Sequence, residues 1–89
     1  MKAVITVIGK DTVGIIAKVS NECFLYNVNI LDITQKVFDN TFAMIMMVDV
    51  SGVNISFADF VDKMALLGKE NNLSIHTMHE DIFNSMHRI

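Results

Sequence analysis

Apolar positions along this chain switch between strand-like and helix-like spacing, and the switches mark out its elements. Lys2 to Ile8 is rich in Val, Ile and Thr and is bounded by Gly9, which predicts a strand. From Gly14 to Tyr26, the apolar residues Ile15, Ile16, Val19, Cys23 and Tyr26 recur at helical spacing, with Lys18 and Glu22 on the other side. Asn27-Val28-Asn29 ends that helix, since asparagine tolerates the left-handed conformation at a helix terminus. Ile30 to Phe38 alternates between Leu31, Ile33, Gln35, Val37 and the more polar set Asp32, Thr34, Lys36. Asp39-Asn40-Thr41 reads as a hairpin turn without the preferred glycine. Phe42 to Val50 is apolar on both faces as far as Asp49, which predicts a buried central strand.

Ser51-Gly52-Val53-Asn54 reads as a loop, and Ser56 is well placed to cap a helix whose core stripe is Phe57, Phe60, Val61, Met64 and Leu67. Gly68 weakens that helix near its end. Leu73 to Met78 predicts a last strand, and Glu80 to Ile89 a short amphipathic tail with Ile82, Phe83 and Met86 on one side. The order is βαββαβ plus a small helix. Two βα units joined by a hairpin give an α+β, ferredoxin-like sandwich: a four-stranded antiparallel sheet with both helices on one face. Right-handed crossovers put the first and third strands at the centre and the second and fourth at the edges. Residues 1–89 read as one domain with a helical tail from about residue 80. The uncovered face is expected to keep apolar side chains from Ile33, Val37, Ile45 or Met47, depending on register.

Composition narrows the function classes. An apolar fraction of 52% is high for 89 residues and points to a subunit interface, most simply in a homodimer. A net charge of −3 with no cluster of Lys or Arg leaves no electrostatic footprint for nucleic acid. One cysteine, Cys23, fits a reducing compartment and a core role. No apolar run is long enough to span a bilayer and no secretory signal pattern is present, so the expected location is cytoplasmic.

The richest stretch is Val4 to Ala17: an apolar strand, a polar turn and a glycine at the mouth of an apolar helix. The first backbone N–H groups of such a helix lack intrahelical partners and suit a carboxylate or phosphate. The turn carries neither a nucleotide P-loop nor the three spaced glycines of a dinucleotide site. Asp11 or Thr12 would serve as N-cap, a role compatible with ligand contact. Gly14 admits either close ligand approach or close helix packing. Asn29, opening a strand in which asparagine is disfavoured, is the strongest single ligand candidate.

With D-x-x-G-I-[I/L]-A matched from Asp11 to Ala17, N-V-N-I from Asn27 to Ile30, and the tail from His79 to Ile89, the chain resembles an ACT domain from end to end. It is similar to small stand-alone proteins of the glycine-cleavage-repressor type. The resemblance implies regulation by a small ligand, usually an amino acid, held between two ACT domains, and a regulated protein downstream. Carried onto this sequence, it implies ligand contacts from Asp11, Thr12, Val13 and Gly14 in one subunit and Asn29 in its neighbour. Gly9 stands where the family often has a polar, ligand-contacting residue, and Val13 where proline is common before the glycine.

Other chemistry finds little purchase. His76 and His79, three apart on a strand, face opposite ways, and His79, Glu80, Asp81 and His87 meet only if the tail folds back, so no metal site or cofactor is expected. Met44, Met46 and Met47 read as core filling. An acylphosphatase needs arginine in the first βα turn, whereas Arg88 is the sole arginine; RNA-binding sheets need stacking aromatics with positive charge; copper domains of this fold need C-x-x-C. No nucleophile–base pair or carboxylate pair is visible. The expected function is therefore non-enzymatic: a metabolite-sensing module or, alternatively, a dimerisation and protein-interaction module without ligand.

Overall fold

The computed structural model describes residues 1–87; Arg88 and Ile89 lie outside the described residues. Strands β1 (Lys2–Lys10), β2 (Asn29–Phe38), β3 (Thr41–Asp49) and β4 (Leu73–His79) form one sheet, with helices α1 (Ile15–Leu25), α2 (Phe57–Glu70) and α3 (Glu80–Met86). The sheet order is β2-β3-β1-β4 with every pair antiparallel, so β1 and β3 are central as the crossover rule requires. Among the described residues no helix is long and apolar enough to cross a membrane.

Alternation within β1 and β3 builds the core. Ala3, Ile5 and Val7 share one face with Phe42, Met44, Met46 and Val48, and that face packs on Ile15, Val19 and Cys23 of α1 and Phe60 and Met64 of α2. Ser56 caps α2 by accepting from the Asp59 N–H at 3.0 Å. The turns use the predicted left-handed positions: Asn27 at φ 59°, and Asp39 and Asn40 at φ 49° and 85° in the hairpin.

The opposite sheet face differs from expectation at β2. A bulge between Ile30 and Asp32 shifts the register, so Ile33 pairs with Met46 and Val37 with Phe42. Ile33 and Val37 therefore stand on the helix side, and Asp32, Thr34 and Lys36 join Met47, Ile45 and Ala43 on the other. One extra residue inverts every side chain beyond it. Ile45 is half-exposed, so β3 is not buried on both faces.

The tail helix α3 crosses this second face over β1 and β4. Val4, between Met47 and Met78 in the register, is fully buried there.

Gly68 has a packing role that its helix propensity hides. A Cβ at this position would lie 2.6 Å from the Leu73 carbonyl oxygen, so glycine lets α2 close onto β4. Gly68→Ala should cost about 1–3 kcal/mol through overpacking, read as a lower urea midpoint with an unchanged m-value.

Candidate functional site

The β1–α1 turn is the first half of the site. β1 ends at Lys10, and the Asp11 N–H donates to the Asn40 carbonyl at 2.7 Å, tying the turn to the β2–β3 hairpin. The N-cap of α1 is Gly14 at φ 89°, with no side-chain cap. This corrects the expectation that Asp11 or Thr12 caps the helix: the left-handed step at Gly14 separates both from the helix start. Gly14 is needed for its backbone angle rather than for packing, since a Cβ there would meet only the Lys18 side chain at 4.0 Å.

The Lys18 N–H reaches the Gly14 carbonyl at 3.0 Å, and the N–H groups of Ile15, Ile16 and Ala17 precede the intrahelical ladder. No acidic residue lies in the first turn of α1, so its positive end is not neutralised from within the helix. Val13 is 96% exposed. This mouth offers backbone donors and an exposed apolar side chain, with the Asp11 carboxylate on the preceding residues.

Gly9, the position without a polar side chain, is closely packed, so a side chain there requires Leu73 and its neighbours to shift. A Cβ would fall 2.6 Å from Leu73 Cδ2 and 3.0 Å from the Asn72 carbonyl oxygen.

Asn29 opens β2 and is exposed. Its register partner is Asp49, which in turn faces Lys2. Asn29 therefore sits at the end of the sheet opposite the Asp11–Gly14 turn, about 26 Å away along eight strand residues. Within one chain the two halves do not meet.

Beside Asn29 lies a depression of about 200 Å³ lined by Phe24, Asn27 and Val28. Phe24 is 79% exposed on α1, off the apolar stripe, and sequence spacing gave no signal for it. Asp49 is occupied structurally: the Ser51 hydroxyl and Ser51 N–H, the latter at 2.9 Å, hold its carboxyl below the usual range, and the Met1 amino group lies 3.5 Å away.

The ACT domain family model matches residues 2–78. The chain belongs to the ACT domain family. A UPF0237 protein of Listeria monocytogenes is 44% identical over 89 residues, covering all of both chains. An ACT domain protein from Streptococcus pneumoniae is similar in structure at TM-score 0.81 and 37% identity, over 93% of each chain. A proposed glycine cleavage system transcriptional repressor matches at TM-score 0.70 and 25% identity, over 85% of this chain and 43% of that one. The fold is thus that of a regulatory domain.

The remaining candidates fall into place around this ACT domain. Cys23 is fully buried, and its thiol is pushed up to about 11, first by burial and then by the Glu22 charge. His79 packs against Phe57 with ring centroids 4.3 Å apart, while His76 stands on the α3 side of the sheet. Among the described residues no three His, Cys, Asp or Glu side chains come together as a metal site.

Two outcomes test this geometry. Asp11→Ala should change stability by less than about 0.5 kcal/mol, below the loss of about 1 kcal/mol that removing a cap would bring, measured by urea unfolding. Gly14→Ala should cost about 1–2 kcal/mol in the same assay because of the left-handed angle.

Proposed function

We propose that this ACT domain is a non-enzymatic sensor that binds an amino acid or similar zwitterionic metabolite between two subunits. The observation that carries the reading is the placement of the two half-sites at opposite ends of one sheet. β2 is an edge strand, and Leu31, Ile33, Val37 and Phe38 along it are exposed. A ten-residue edge strand with one side unpaired and exposed apolar side chains is a template for another chain. Antiparallel pairing of two β2 strands about their midpoint sets Asn29 opposite the partner's Phe38. That end carries the partner's hairpin and, through the Asp11–Asn40 hydrogen bond, the partner's helix mouth. Two equivalent sites result, each with donors for a carboxylate from one chain and Asn29 from the other.

A second reading, a dimerisation and interaction module without ligand, draws on Gly9. Packing against Leu73 and Asn72 leaves the site without the polar side chain that ligand-binding relatives often place there.

Light scattering should show a dimer at micromolar concentration, and Leu31→Lys should lower the mass to that of one chain. A thermal-shift screen of the common amino acids should find at least one that raises the melting temperature. Asn29→Ala should then weaken that ligand by about 1–3 kcal/mol in calorimetry with the fold intact. Asp11→Asn should weaken amino acids while sparing carboxylates that lack an amine. A stable dimer with a flat screen supports the interaction module instead.

A further inference from the structure

The α3 side of the sheet holds a groove of about 480 Å³ whose lining includes neither Asn29 nor any residue of the β1–α1 turn. Its floor is Ile8, Ala43 and Ile45 on β1 and β3, and its wall is Met78 with Phe83 and Met86 of α3. This volume lies within the range of about 300–1,000 Å³ that small-molecule sites occupy. Among the described residues no Lys, Arg, Asp or Glu lines it, so those residues offer a zwitterion or ion no charged partner.

The polar groups present are specific in kind. The Thr6 hydroxyl lies in the floor, and His76 and His87 complete the lining. His87 Nδ1 lies 2.9 Å from the Phe83 carbonyl oxygen. A carbonyl only accepts, so this contact selects the Nδ1–H tautomer, in which Nε2 carries a lone pair. The same imidazole stacks on the Phe83 ring at 4.3 Å and 28°. The groove therefore combines the stacked Phe83 and His87 rings, the thioethers of Met78 and Met86, which favour aromatic rings, and an acceptor for one ligand donor.

We propose that this groove is a second ligand site, for an uncharged aromatic or heteroaromatic molecule carrying one N–H or O–H donor. It is independent of the amino-acid site and needs only one chain.

Indole is a suitable probe, followed by amide chemical shifts in a two-dimensional NMR titration of the intact protein. Saturable shifts at Ile8, Ala43, Ile45 and Phe83 are expected. Ala43→Phe, which fills the groove, and Ile45→Lys, at a half-exposed position that tolerates substitution, should each weaken binding by at least about tenfold. Absence of saturable shifts, shifts clustered at Asn29 or Gly14, or unchanged affinity in both variants would overturn the proposal. So would dilution-dependent shifts at Ile45 with no response to indole, since a second copy would then occupy the face. Failure of the amino-acid screen leaves these outcomes unaffected.

Discussion

Everything in this molecule is hung on the two-sided strand β1. Its odd positions, Ala3, Ile5 and Val7, are buried against α1 and α2, and Val4 is buried on the reverse face where α3 crosses. A strand apolar on both faces has to be central and covered twice, because each exposed apolar side chain forgoes about 1.5–3 kcal/mol of burial. That requirement places β3 and β4 on either side of β1 and leaves β2 outermost. It also gives the tail helix a structural task, since without it Val4 would face solvent.

The consequence for function is a division of surfaces. The helix side is closed by a well-filled core containing Phe60, Met64, Met44 and Met46, leaving little space for a ligand. Accessible surface remains along the perimeter, at the β1–α1 turn, at Asn29 and on the β2 edge, and in the groove beside α3 on the opposite face. On the proposed reading, a site built on such a perimeter is completed by association, which makes ligand occupancy and subunit pairing linked equilibria. In the proposed sensor, that linkage is what reports a metabolite to a partner.

The helix mouth illustrates how one backbone angle shapes the chemistry. Gly14 in the left-handed region lets the chain turn sharply from β1 into α1 without a side-chain cap. A serine or aspartate cap would have consumed one of the helix's first N–H groups. Leaving them unclaimed keeps a donor set at the surface, with the helix dipole behind it. The tether from Asp11 to Asn40 then holds this mouth at the same end of the molecule as the hairpin.

Much of this was legible in the sequence, because it depends on local rules. The alternation in β1, the helical stripes of α1 and α2, the asparagine turns and the Ser56 cap each act over a few residues, and together they determined the βαββαβ order and the ACT resemblance. Tertiary structure alone decided the rest. The bulge after Ile30 reversed the faces of Ile33 and Val37, since a one-residue register shift is invisible to a pattern of period two. Gly68 was decided by the approach of Leu73, a contact between elements rather than a property of the helix. Asp11 and Thr12 lost the capping role to a backbone angle that sequence spacing does not encode. The separation of Asn29 from the helix mouth followed from strand order and register, because only the paired sheet places the start of β2 and the end of β1 at opposite ends of one molecule.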